Sequence, residues 1–283
     1  MRSGNTNSAT GATVRRLAPA SLHGLGPRVV SGLLLAPPVL AALYVGPPYS
    51  DLLIVAVCAV AGWEWARMCR HGRWDWVVGL VVGFVVLAVG FGILGYYALA
   101  GWSIAVGALA VGFAPGRVAQ ADAAWLGLGV VYIAGAGLAF LWLRQEPESG
   151  RAVVLWLVAV VWSTDVGAYF AGRLIGGPKL APGISPKKTW SGLGGGVAAA
   201  VAAGLAASWW LTMGPIILGL ASAVLAIVAQ LGDLLESGLK RRYGFKDSSA
   251  LIPGHGGLLD RIDGLLSAVL VLGGMDWLMG AGR

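Results

Sequence analysis

The sequence predicts an all-α polytopic membrane protein with about nine transmembrane helices. Of its 283 residues, 57% are hydrophobic and 12% are charged, whereas soluble domains are about 45–50% apolar and about 25% charged. The mean hydropathy is +0.77. Several apolar runs also reach the roughly 20 residues that a helix needs to cross a bilayer. These three observations favour a chain that lies mostly within a membrane.

Nine apolar runs give the candidate spans. The run over 76–114 is too long for one crossing and is divided near Gly92 and Gly95, and a later division falls at Gly214-Pro215. The predicted spans lie near residues 29–46, 51–69, 76–93, 95–114, 123–143, 152–174, 192–213, 214–238 and 264–280. Residues 1–27 are rich in Ser, Thr, Gly and Arg, so we expect a disordered, basic cytoplasmic tail.

The distribution of basic residues predicts the orientation. With a cytoplasmic N-terminus, 17 of the 20 Lys and Arg lie on the inside, and Arg144, Arg151 and Arg283 lie outside. Such a bias follows the positive-inside rule and places the C-terminus outside. It also accounts for the net charge of +7, so no nucleic-acid partner is expected.

Ionisable residues within the spans mark candidate functional positions, because each costs roughly 2.5 kcal/mol or more in the bilayer. Asp165 lies in the sixth span, and Asp233 and Glu236 share one face of the eighth at i and i+3. Alternative roles are an ion pair of Glu236 with Lys240, exposure of Asp233 to an aqueous crevice, and an interhelical hydrogen bond for Asp165. Glu64, flanked by two Trp at a span end, is interpreted as structural.

The first of two polar cytoplasmic loops, over about 175–191, carries candidate anion ligands. Lys187 and Lys188 are point charges suited to phosphate, and Ser185 and Thr189 add hydroxyl groups. Glycines there let backbone N–H groups approach an anion. The residue order differs from that of a Walker A loop. Two lysines also fit a topology signal or a contact with anionic lipid, so both interpretations stay open.

The second polar loop, over about 239–263, carries carboxylates and cations together. Asp260 and Asp263 stand at i and i+3 before the ninth span, where we expect them to meet Asp233. Carboxylate ligands favour Mg²⁺, which shares phosphate oxygens with its substrates. Glycines surround His255, and the nearby cations are Lys240, Arg241, Lys246 and Arg261. This combination at a membrane surface indicates phosphoryl or nucleotidyl transfer onto a lipid phosphate.

The segment SGLKRRYGFKDSSALIPGHGGLLDRID, from Ser237 to Asp263, resembles the signature of the phosphatidate cytidylyltransferase (CDP-diacylglycerol synthase) family. The parts S-x-x-K-R, K-D, P-x-H-G-G and D-R-x-D are all present in order. TDVGAYFAGR, ISPKKT and QLGDLLES resemble further family motifs, so the resemblance covers about 152–280. Two departures are Ser191, where an acidic residue is frequent, and Gly264, where Ser is usual.

The resemblance implies that CTP and phosphatidate are converted to CDP-diacylglycerol and pyrophosphate, in phospholipid biosynthesis. It implies dependence on Mg²⁺ and is compatible with K⁺ as a second cation. The implied metal ligands are Asp233, Asp260 and Asp263. The implied phosphate-binding cations are Lys187, Lys188, Lys240, Arg241, Lys246 and Arg261. His255 is expected to organise the loop or donate to phosphate, and Asp165 and Tyr169 to line a polar cavity.

The resemblance also predicts the organisation of the chain. Residues 28–283 are expected to form one transmembrane catalytic domain, with the active-site motifs in 160–263. A homodimer in a bacterial-type cytoplasmic (inner) membrane is expected. One alternative function is a CTP-dependent lipid kinase, which would transfer the γ-phosphate, and the long signature argues against it. The other is an ion-coupled secondary transporter using Asp165 and Asp233, but no inverted repeat is visible.

Overall fold

The computed structural model describes residues 25–113, 120–146 and 149–280. Within these ranges the chain forms nine helices and one two-stranded antiparallel hairpin. In chain order the elements are α1 Leu25–Val45, α2 Tyr49–Cys69, α3 Trp76–Ile93, α4 Tyr97–Gly112, α5 Gln120–Gln145, α6 Gly150–Leu174, β1 Lys179–Ala181, β2 Ser185–Thr189, α7 Trp190–Ala207, α8 Pro215–Arg242 and α9 Leu259–Gly280.

Every predicted span coincides with one of these helices, which confirms the all-α class, and the chain is an integral membrane protein. Among the described residues, seven helices are long and apolar enough to cross a membrane: α2, α3, α5, α6, α7, α8 and α9. The helix α4 and the segment Leu34–Val45 of α1 are apolar but shorter. The predicted tail lies outside the described residues, except for residues 25–27, which begin α1.

The polar loops are more ordered than the sequence predicts. The loop over 175–191 contains the hairpin, in which Lys179 pairs with Thr189 and Ala181 with Ser185. The helix α8 continues to Arg242, and α9 begins at Leu259 rather than near residue 264. Asp260 and Asp263 therefore belong to the first two turns of α9. The eighth and ninth predicted spans are shorter than α8 and α9 because the spans were drawn from hydrophobicity and these helix ends are polar.

Small residues let the helices of the C-terminal half approach closely. A Cβ on Gly167 of α6 would lie 2.5 Å from the Gly195 carbonyl oxygen of α7. A Cβ on Gly232 of α8 would overlap the Ser267 hydroxyl of α9. Glycine at these positions lets helix backbones pack at short distance, as is common within membranes. The helices α6, α7, α8 and α9 thus form a closely packed group, which α5 joins through α9.

Contacts between helix ends agree with a chain that crosses back and forth. At one end, Tyr243 after α8 donates to the Asp122 carboxylate of α5 at 2.9 Å. At the other end, the Trp142 indole of α5 donates to Asp276 of α9 at 2.9 Å. The polar loops therefore gather at one end of the bundle, as the predicted alternation requires. That this end is cytoplasmic stays a prediction.

Candidate active site

A buried lysine joins two acidic residues at the polar end of the bundle. Lys240, in the last turn of α8, forms an ion pair with Glu236 one turn earlier and a 2.6 Å ion pair with Asp260 of α9. The side chains of Lys240 and Asp260 are 11% and 5% exposed. The alternative role considered for Glu236, pairing with Lys240, is the one observed. Lys240 is thus already neutralised by carboxylates in this structure.

Asp260 connects this ion pair to the loop that precedes α9. Its Oδ1 contacts Lys240, while its Oδ2 accepts from the backbone N–H groups of Ser248 at 2.9 Å and Gly257 at 2.8 Å. The Ser248 hydroxyl lies 3.0 Å from the same Oδ2. Hydrogen bonds to a carboxylate are stronger than neutral ones, so Asp260 organises the loop and Lys240 together.

Three further carboxylates approach one another beside this network. Asp263 of α9 lies within repulsive range of Asp233 of α8 and Asp165 of α6. The approach of α8 to α9 depends on Gly232, since a Cβ there would lie 2.8 Å from the Asp263 carbonyl oxygen. The predicted meeting of Asp233 with Asp263 is therefore present, and α6 contributes Asp165. We call Asp165, Asp233 and Asp263 the acidic cluster.

The hairpin supplies a cation to the acidic cluster. The Lys188 ammonium of β2 lies 2.7 Å from the Asp233 carboxylate and 3.4 Å from the Gln230 carbonyl oxygen. Asp233 also accepts from Ser237 at 3.2 Å. The position of Lys188 follows from the short strand pair, which turns the chain back over α8. Residues of the two predicted loops and of α6 thus meet in one place.

The glycine-rich turn before α9 positions the Arg261 side chain. Ile252 and Gly256 pair through their backbones, and Gly254 and Gly256 have φ values of +78° and +82°, which favour glycine. The turn presents the His255 carbonyl oxygen to the Arg261 guanidinium, with donor distances of 3.1 and 2.8 Å. The backbone carbonyl of His255 therefore orients Arg261, and the role expected for the His255 side chain stays a prediction.

The remaining predicted ligands have varied surroundings. Thr189 caps α7 by accepting from the Gly192 N–H at 3.0 Å, so its hydroxyl serves the helix start. Arg241 donates to the Phe245 carbonyl oxygen at 3.2 Å, and the Tyr169 hydroxyl accepts from Arg173 at 2.8 Å. Lys187 and Lys246 are exposed, and Ser185 is half-buried in β2. The exposed lysines therefore face the solvent at the polar end of the bundle.

Glu64 is a contributor that the sequence interpretation did not place at the site. It lies near the end of α2 with 0% exposure, and it accepts from Ser249 at 2.6 Å and from the Leu259 N–H at 2.6 Å. Glu64 therefore has a specific structural role: it binds the loop between α8 and α9, residues 243–258, which we call the signature loop. The sequence shows only a single carboxylate at the end of a span. Its role could not be predicted because the residues that bind it lie 184 to 195 positions later in the sequence.

The acidic cluster suits a metal that is completed by substrate. Within the described ranges, no three acidic, His or Cys side chains are arranged as a complete metal site. Mg²⁺, however, is usually bound by one or two carboxylates together with water and phosphate oxygens. Asp233 and Asp263 would supply these two carboxylates, with the Asp233 oxygens contacting Lys188 and Ser237 in this structure. Asp260 as a ligand stays a prediction, and its oxygens already serve Lys240 and the loop.

Comparisons with known proteins identify the family of this chain. A family model described as the cytidylyltransferase family matches residues 26–275. A protein named phosphatidate cytidylyltransferase from Brucella suis is 38% identical over 262 residues, which cover 89% of this chain and 93% of that protein. A protein of the same name from Pseudomonas aeruginosa is 36% identical over 268 residues, covering 90% and 98%. The chain therefore belongs to the cytidylyltransferase family.

Proposed function

We propose that this chain transfers the cytidylyl group of CTP to phosphatidate, forming CDP-diacylglycerol and pyrophosphate. The observation that carries the proposal is the convergence of the acidic cluster with Lys188 at the polar end of a transmembrane bundle. Carboxylates and cations in one place suit a reaction between two phosphate-bearing molecules. The relatives named phosphatidate cytidylyltransferase align with this chain along nearly its whole length.

The reaction requires cationic groups held in position around the phosphates, and it does not require a general base. A phosphatidate oxygen attacks the α-phosphorus of CTP, the new P–O bond forms, and the bond to pyrophosphate breaks. A phosphate monoester is already anionic near neutral pH, so no side chain has to remove a proton. We assign Lys187, Lys188 and Lys246 to the triphosphate, and Arg261, held by the turn at His255, to the lipid phosphate.

We propose Mg²⁺ as the cofactor, held by Asp233 and Asp263. When bound, it would neutralise charge on the triphosphate and on the departing pyrophosphate. The repulsion within the acidic cluster supports this proposal, since a cation there relieves it. K⁺ as a second cation follows from the family resemblance.

The surface of α6 supports entry of a lipid from the side. Asp165 is exposed, and the adjacent Val166 and Phe170 are each 56% exposed. An acidic group beside exposed apolar side chains suits a boundary between the polar end and the bilayer. The acyl chains of phosphatidate can then stay in the membrane while its headgroup reaches the acidic cluster. We further propose that the chain lies in the inner membrane of a bacterial cell with this end facing the cytoplasm. We also propose that it functions as a homodimer.

The position of a radioactive label tests the reaction. The purified protein in phosphatidate-containing micelles is incubated with Mg²⁺ and either α-³²P-CTP or γ-³²P-CTP. We expect α-label in the chloroform-soluble lipid and γ-label in released pyrophosphate. Lipid that carries only γ-label would identify a lipid kinase instead. Ion-coupled uptake into proteoliposomes without any CTP turnover would identify a transporter.

A further inference from the structure

The carboxylate of Glu64 binds four hydrogen-bond donors, all from the segment around the signature loop. Its Oε1 accepts from the Ser249 hydroxyl at 2.6 Å and the Leu258 N–H at 3.0 Å. Its Oε2 lies 3.0 Å from the Ser248 hydroxyl and accepts from the Leu259 N–H at 2.6 Å. Glu64 belongs to α2, which supplies no other residue to the candidate active site. The contact therefore joins the N-terminal half to the catalytic segment.

Two of these donors lie at the start of α9: the N–H of Leu259, its first residue, and the N–H of Leu258 directly before it. Such groups have no partner within their own helix, and an acidic side chain near a helix N-terminus is stabilised by the helix dipole. Most helices are capped by a residue just before their start, whereas α9 is capped from a separate helix. Within the described ranges no Lys, Arg or His forms an ion pair with Glu64. Its buried charge therefore depends on these four donors.

The Ser248 hydroxyl links Glu64 to Asp260. Its oxygen lies 3.0 Å from Glu64 Oε2 and 3.0 Å from Asp260 Oδ2, so two carboxylates share one hydroxyl proton. The Ser248 N–H donates to Asp260 as well. A side chain on Gly257 would overlap the Ser248 hydroxyl and lie 2.5 Å from Glu64 Oε1. The loop thus has little freedom to shift between the two carboxylates.

We propose that Glu64 is a positioning residue for the transfer reaction. It fixes the loop and the start of α9, and through Ser248 it sets the orientation of Asp260. Asp260 in turn holds Lys240. Replacing a residue that orients a metal ligand typically lowers metal affinity or activity by about 10–100-fold. We expect a loss of the same size when Glu64 is replaced. This inference rests on the proposed cytidylyltransferase activity.

The variant Glu64→Gln tests the proposal. An amide keeps the size of the side chain but replaces one acceptor oxygen with an NH₂ group, which would face a backbone N–H of α9. We expect kcat to fall by about 10–100-fold. The KM for CTP should stay within about threefold, because two of the three lysines assigned to the triphosphate, Lys187 and Lys188, lie on the hairpin rather than in the loop that Glu64 binds. The matched control is Val81→Ala, a fully buried substitution in α3.

The control separates positioning from general stability. If Glu64→Gln and Val81→Ala lower the melting temperature equally but only Glu64→Gln lowers kcat, the proposal stands. It is overturned if Glu64→Gln keeps kcat within twofold, or if Val81→Ala loses as much. Absence of turnover in the unchanged protein would reject the proposed function itself rather than this inference.

A milder pair of variants covers the case in which Glu64→Gln does not fold. Ser248→Ala removes the shared hydroxyl, and Ser103→Ala removes a buried hydroxyl that bonds only within α4. We expect Ser248→Ala to lower kcat at least fivefold, and Ser103→Ala to leave it within twofold. Equal kcat values for the two variants would overturn the proposal.

Discussion

Replacing Asp260 with Asn should remove nearly all activity while the protein stays folded. Asp260 forms a 2.6 Å ion pair with Lys240, and its side chain is 5% exposed. Removing one partner of a buried pair costs roughly 3–5 kcal/mol. Lys240 keeps its contact with Glu236, so the lower value, about 3 kcal/mol, is appropriate. If the same free energy is lost from the transition state, turnover falls by about 100-fold.

The assay measures α-³²P-CTP incorporation into lipid, and tryptophan fluorescence follows thermal unfolding in detergent. The matched control is Asp122→Asn, because Asp122 accepts from Tyr243 at 2.9 Å outside the acidic cluster. We expect this control to keep turnover within about threefold, because the contacts of Asp122 are with Tyr243 and His71 rather than with residues assigned to the reaction. A folded Asp260→Asn protein with near-normal turnover would refute the role assigned to Asp260. A titration with Mg²⁺ adds detail: a raised Mg²⁺ requirement in the variant would favour metal ligation by Asp260.

Three further predictions concern the acidic cluster and its neighbours. Lys188→Met should raise the KM for CTP by about tenfold, since one charge-assisted contact is lost; an unchanged KM in steady-state assays would contradict this. Gly232→Ala should destabilise the protein by roughly 1–3 kcal/mol through overpacking against Ser267. The control Gly238→Ala, whose Cβ meets no atom within 4 Å, should melt no lower than the unchanged protein. Removing Mg²⁺ with EDTA should abolish turnover without changing the circular dichroism, and turnover that persists would exclude the metal.

The spans could be predicted from the sequence because apolar length is a local property. A helix that crosses the bilayer needs about 20 apolar residues, and that requirement is visible without any knowledge of packing. The approach of Asp233 to Asp263 could also be predicted, since α8 and α9 are consecutive helices and both carboxylates lie beside the same polar loop. The helix pattern and part of the acidic cluster therefore followed from neighbouring residues.

The rest of the site depends on contacts between distant parts of the chain. Lys188 reaches Asp233 only because residues 179–189 form a hairpin, and no local pattern gives the direction of that turn. The start of α9 at Leu259 was missed because its cap comes from Glu64 on another helix. Lys240 was expected to bind phosphate, but its burial between two carboxylates arises only from the packing of α8 against α9. Long-range contacts of this kind leave no periodic signal.

The distance along the chain between Glu64 and its donors has a consequence for biosynthesis. The donors follow Glu64 by 184 to 195 residues, which at about 5–20 residues per second corresponds to roughly 10–40 s of synthesis. During that interval a carboxylate waits at the membrane boundary without the groups that bind it. The four donors can therefore bind Glu64 together only after synthesis has reached Leu259, and a chain that stops before Ser248 lacks all of them.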